Sequence, residues 1–79
     1  MEIEFNFNKL RGRIKEKYKT QIAFSSDMGF NEATLSNKLN NNVEFTSKEI
    51  LKASKLLNIE KNLIPEYFFT QKVQETEQN

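Results

Sequence analysis

Residues 21–40 read QIAFSSDMGFNEATLSNKLN, a stretch patterned as a short helix, a glycine-centred turn and a second short helix. Phe24 and Met28 stand four apart on one face of the first helix, and Ser25 beside them is small enough to let another helix approach. Gly29 ends that helix, because glycine takes the left-handed conformation common at helix C-termini without the steric cost of a Cβ. Phe30 can pack inward directly after it. Asn31 restarts the chain as an N-cap whose side-chain oxygen can accept from an amide near Thr34, and Glu32 suits the positive end of the new helix dipole. Leu35 faces the core. The outer face of the second helix is left with Glu32, Ala33, Thr34, Ser36, Asn37 and Asn40, short polar and small side chains of a size that fits a DNA groove.

On the N-terminal side, Asn8 is expected to cap a first helix running to about Tyr18, with Phe7, Leu10, Ile14 and Tyr18 along its core stripe. The rest of its circumference is basic. Between Lys9 and Thr20 stand Lys9, Arg11, Arg13, Lys15, Lys17 and Lys19 against Glu16, a local charge of +5 in a chain whose net charge is only +1. Such asymmetry points to an anionic partner for one face, and equally to a solvated helix surface. Thr20 caps the next helix. Residues 1–6 form an arm whose alternation of Ile3, Phe5 and Phe7 permits a short edge strand.

On the C-terminal side, a polar loop, Asn40, Asn41 and Asn42, leads through Val43, Glu44 and Phe45 to Thr46. There Thr46-x-x-Glu49 makes a capping box for a fourth helix. Ile50, Ala53, Ser54 and Leu57 form its inward face, and Lys48, Lys52 and Lys55 its opposite, solvated side. Glu60 to Phe68 is expected to be a fifth helix, short or kinked because Pro65 lacks an amide donor. Of the adjacent Phe68 and Phe69, one is expected inside and the other in a dimer contact or against the arm. The polar tail, 71–79, reads as disordered.

The chain of 79 residues allows one domain, 7–70, which buries only about 60 to 65% of the surface its unfolded form exposes. Seven phenylalanines help to fill so small a core. Neither cysteine nor histidine is present. That removes disulfides, thiolate metal sites, the usual zinc ligand and every triad that uses His, so an enzyme is not expected and no cofactor is implied. No apolar run approaches the roughly eighteen residues of a membrane helix, and the start, MEIEFNFN, does not read as a signal peptide. The expected location is the cytoplasm, with no membrane partner and no small-molecule substrate.

The pattern of residues 21–40 resembles the Cro/CI-type helix-turn-helix of phage regulators: Gln21, Phe24, Ser25, Met28-Gly29, Phe30, Asn31, Leu35 and Asn40 fall where that motif places them. The likeness extends over about residues 7–70, because LRGRIKEKYKTQ before the motif, with EILKASKLLNI and PEYFF after it, look like a group of small Cro-like and modulator proteins of temperate phages. Three positions depart from the pattern. Ser25 replaces the usual Ala, Lys38 a large apolar residue, and Asn41 a common glycine. Lys38 is expected to pack its stem and send its amine to solvent, and Asn41 to supply the turn.

The resemblance implies an all-α, compact five-helix Cro/CI-like domain with its helix-turn-helix at about 21–40. It also implies a sequence-specific transcriptional regulator that binds a double-stranded DNA operator, with a homodimer on DNA as one arrangement. Helix three, 32–39, would enter the major groove. On that reading Gln21 contacts the backbone, and Glu32, Ala33, Thr34, Ser36 and Asn37 reach base edges or nearby phosphates. Lys38 supplies the helix's one positive charge, and Asn40 meets the backbone beyond it. Arg11, Arg13, Lys17 and Lys19 are the phosphate candidates on helix one. The alternative is a phage antirepressor or modulator that binds a CI-type repressor protein, favoured by Glu32, which phosphates repel, and by Ile22 and Leu39 if exposed.

Overall fold

The computed structural model describes residues 3–73. Five α-helices follow one another: α1 Asn8–Tyr18, α2 Gln21–Met28, α3 Glu32–Leu39, α4 Ser47–Leu56 and α5 Ile64–Phe68, the last preceded by a 3-10 turn at Lys61–Leu63. Among the described residues there is no strand, only an isolated antiparallel bridge between Phe5 and Gln71. The fold is all-α, as the sequence implies.

Local chemistry places the helix ends. The Thr20 hydroxyl accepts from the Ala23 N–H at 3.1 Å and Asn31 Oδ1 from the Thr34 N–H at 2.8 Å. At α4, Thr46 Oγ1 accepts from the Glu49 N–H while Glu49 Oε1 accepts from the Thr46 N–H, which completes the capping box. Gly29 has φ 86°. The Phe30 N–H donates to the Ser25 carbonyl and the Gly29 N–H to the Ser26 carbonyl, the paired closure of a Schellman turn. Asn41 and Asn58, with φ 66° and 55°, end α3 and α4 by the same pairing.

Two expectations need correction here. Asn8 is the first residue of α1, not its cap. The cap position falls on Phe7, whose buried ring has no acceptor to offer, and Asn6 Oδ1 accepts from the Asn8 N–H instead. The span 60–68 is likewise not one helix. Its first part is the 3-10 turn, and Pro65 sits in the first turn of α5, where a missing amide donor costs nothing.

The core is one cluster in which Leu10 and Ile14 of α1, Phe24 of α2, Leu35 of α3, Ala53 of α4 and Phe68 of α5 are all but inaccessible. Edge-to-face rings extend it. Phe45 packs between Phe7 and Phe68, at centroid distances of 5.4 Å to each. Buried Ser25 satisfies its hydroxyl on the Ile22 carbonyl at 2.8 Å, so its departure from Ala is harmless.

The arm lies against residues 70–72. The Asn6 N–H donates to the Thr70 carbonyl and the Lys72 N–H to the Glu4 carbonyl, and the Lys72 amine pairs with the Glu4 carboxylate at 3.1 Å. Phe69, half exposed, stacks edge-on against Phe5 at 5.8 Å. Of its two expected roles, packing on the arm is the one observed. Gln71 and Lys72, assigned to the tail, take part in this ribbon. The polar end of the tail, 74–79, lies outside the described residues, as do residues 1–2.

Candidate recognition surface

Both helices of the α2–turn–α3 unit carry exposed side chains. Glu32, Ala33 and Asn37 are exposed on α3 and Asn40 just beyond it, with Thr34 and Ser36 half-buried between them. On α2, Gln21 is half-buried, while Ile22 and Ala23 are exposed. Ile22 keeps 59% of its surface in water, whereas Leu39 is buried at 2%. Of the two apolar residues whose exposure would favour a protein partner, one is therefore available.

Lys38 is not on this surface. Its side chain is turned inward, where its amine meets the Glu49 carboxylate at 3.0 Å and donates to the Glu44 carbonyl at 3.0 Å. It also lies 5.4 and 5.9 Å from the ring centroids of Phe30 and Phe45. The position faces the core, as its usual apolar occupant would, and a lysine is tolerated there because every feature around it suits a cation. Burial alone would push the Glu49 carboxyl up, but the Thr46 N–H and the Lys38 ammonium outweigh it and hold the group below its ordinary 4.5. The amine reaches neither solvent nor a bound groove, contrary to the sequence expectation. Without it, the outer face of α3 carries Glu32 as its only charge.

The basic residues of α1 divide into two groups. Arg11 donates to the Leu39 carbonyl at 3.2 Å and to Asn40 Oδ1 at 2.9 Å, closing the C-terminus of α3. Arg13 donates to the Leu57 carbonyl at 2.9 Å and to the Asn58 carbonyl at 3.2 Å, which closes α4, and also bonds Glu16. Guanidinium groups on orphan carbonyls at the negative ends of helices are structural ties. Lys9 pairs with Glu66, whose hydrogen bond raises the lysine above its ordinary 10.5. Lys15, Lys17 and Lys19 remain exposed, without an acidic partner among the described residues. Lys19 stands at the end of α1 with φ 71°.

Further side-chain bonds fix the polar array. Asn40 Nδ2 donates to Ser36 Oγ, and Asn42 Nδ2 to Asn37 Oδ1 at 3.3 Å. Asn37 is exposed, and with its oxygen so engaged its side chain still has amide donors to offer. The Tyr18 hydroxyl donates to Asp27 at 2.9 Å, linking α1 to α2. Burial, helped by that bond, raises the phenol above its ordinary 10.0. Sequence reading did not find the roles of Arg11 and Arg13 as caps, because their targets lie 28 and 44 residues away.

Residues 3–71 of the chain, which span the five helices and the arm, are matched by a family model described as "Protein of unknown function (DUF739)". The chain belongs to the DUF739 family. No curated protein matches it. Among solved structures, this DUF739 member is similar to the solution structure of the modulator of repression (MOR) of the temperate bacteriophage TP901-1 from Lactococcus lactis. The two are 43% identical, the match covers 89% of this chain and 95% of that one, and the TM-score is 0.75. The resemblance to small phage proteins holds at this level.

Proposed function

We propose that this chain is a modulator of phage repression that acts by binding a CI-type repressor protein in the cytoplasm, a binding function without catalysis. The observation that carries the reading is the 43% identity, over 89% of the chain, to a phage modulator of repression. The charge on α3 supports it. A helix that enters a DNA groove ordinarily brings cations to the phosphates, and here Lys38 is buried, Arg11 is spent on Leu39 and Asn40, and Glu32 remains. An exposed Ile22 on α2 and an exposed Glu32 on α3 suit a basic, partly apolar protein surface, such as the DNA-reading face of a repressor. Glu32 would bond an arginine on that face.

Direct operator binding, with a homodimer as one arrangement, is the second reading. It draws on Lys17 and Lys19, both free of acidic partners among the described residues and close in sequence to Gln21. The deciding experiment titrates the full chain against its cognate repressor and against promoter DNA, separately and together, at several salt concentrations. The proposal expects a repressor complex that forms without DNA. Specific, salt-dependent operator binding in the absence of any repressor complex would overturn it.

A further inference from the structure

On α4, about 100° of rotation per residue places Lys48, Leu51, Lys52 and Lys55 within one arc of about 100°. That arc lies opposite the buried Ile50, Ala53, Ser54 and Leu57. All four outer residues are exposed, Leu51 at 54%. No acidic side chain pairs with any of the three lysines among the described residues. Lys52 donates to the Met28 carbonyl at 3.3 Å, which lays its stem along the surface towards α2. Like charges at spacings of three and four repel across a helix face. The fold neutralises or ties down Lys9, Arg11, Arg13 and Lys38 and holds Lys52 on the Met28 carbonyl, but leaves Lys48 and Lys55 without such a tie among the described residues.

We propose that the outer face of α4 is a second docking surface, separate from the α2–α3 face, for an acidic amphipathic helix of a partner protein. Charge complementarity selects an acidic occupant. Leu51, flanked by Lys48 and Lys55 one turn away on either side, selects a protein over a nucleic acid, because an apolar side chain gains from contact with another apolar side chain and gains nothing against a phosphate. A single leucine on a ten-residue helix is too little apolar surface to hold a membrane. The surface is small and mostly ionic, so binding there is weak and falls with salt.

The test is a titration of the isotope-labelled full chain, followed by amide NMR. The probe is a synthetic helical peptide with glutamates spaced at four around a central leucine. Polyglutamate of the same length and a random-sequence DNA duplex serve as comparisons. The expected result is shift changes centred on Lys48 to Lys55, with the amides of Gln21 to Phe24 and of α3 unmoved, and an affinity at least tenfold above that of polyglutamate. Leu51→Ser should remove that tenfold advantage, and Lys48→Glu with Lys55→Glu should abolish binding, while the thermal midpoint and repressor binding of both variants stay near those of the parent. Equal affinity for the peptide and polyglutamate, no effect of Leu51→Ser, or larger shifts on α4 with DNA than with the peptide would each overturn the proposal.

Discussion

The side chain of Asn41 meets both backbone polar groups of Phe5: Nδ2 donates to the Phe5 carbonyl and Oδ1 accepts from the Phe5 N–H, each at 2.9 Å. Asn41 thus does for the arm what a neighbouring strand would, while its own backbone, at φ 66°, ends α3. Glycine, common at this position in the resembled motif, could make the turn but not the clamp. Asn41→Gly should therefore cost about 1 to 2 kcal/mol through two lost hydrogen bonds. Asn41→Ala should cost more, since it adds strain at positive φ. Denaturant midpoints give the energies, and amide exchange locates the loss: the Phe5 N–H should lose protection while those of α2 keep theirs. Unchanged exchange at Phe5 would rule out the clamp.

Lys38 and Glu49 form the one ion pair that the core encloses among the described residues. Lys38→Met fits the apolar surroundings but strands the carboxylate. The expected loss is about 2 to 3 kcal/mol, below the 3 to 5 of a fully buried pair, because Glu49 keeps 24% of its side chain exposed. Adding Glu49→Gln should restore much of the loss. The sign of the pH effect follows from the lowered folded pKa of Glu49. Its contribution is fully present above 4.5 and is lost as pH falls through the lower folded value. Urea midpoints measured from pH 6 to 2 should show a flatter acid limb for Glu49→Gln than for the parent.

Gly29, at φ 86°, has nothing beyond its own chain neighbours within 4 Å of the place a Cβ would occupy. A substitution there therefore meets strain from the backbone alone. Gly29→Val should cost about 1 to 3 kcal/mol and Gly29→Asn clearly less, since asparagine tolerates the left-handed region. Leu35→Ala, at a fully buried site, should cost about 2 to 5 kcal/mol. Thermal melts of the three variants check the order.

Arg11 and Arg13 bond carbonyls at the ends of α3 and α4. Replacing either with Ala should lower stability by about 1 to 2 kcal/mol and leave the salt dependence of any DNA binding unchanged. Lys17→Ala and Lys19→Ala should leave stability within about 0.5 kcal/mol. If these two lysines do touch phosphate, each substitution should reduce the salt slope by about 0.9. Salt titrations on a promoter duplex beside urea melts separate the two groups.

The elements were legible where the signal is local. Thr20, Gly29, Asn31 and the Thr46–Glu49 box each act within three residues of themselves, so the chain announces its helix ends before any tertiary contact exists. The surface was less legible, because its chemistry is decided by partners distant in sequence. Lys38 reads as a solvated cation until α4 brings Glu49 beside it, and nothing near Arg11 in sequence shows that its guanidinium reaches the end of α3. The pairing of the arm with both Asn41 and residues 70–72 left no local trace beyond the alternation of Ile3, Phe5 and Phe7.

Ile22 and Glu32 separate the two functional readings. Ile22 is exposed and Glu32 bonds no side chain among the described residues, so neither Ile22→Ser nor Glu32→Gln should move the thermal midpoint appreciably. If the α2–α3 face grips a repressor, Ile22→Ser removes an apolar anchor. Glu32→Gln, nearly isosteric, removes the charge from a bond of about 1.5 to 3 kcal/mol. Each should then weaken the repressor complex roughly tenfold or more, and weak DNA binding should stay level or rise slightly as repulsion from phosphates is relieved. If α3 reads bases instead, Asn37→Ala should cost about 1 to 3 kcal/mol against the preferred site and much less on random DNA, and Glu32→Gln should change base preference. Calorimetric titration with the repressor, run beside DNA binding at low salt, measures both. A repressor complex indifferent to Ile22→Ser and Glu32→Gln would move the interface elsewhere on the domain.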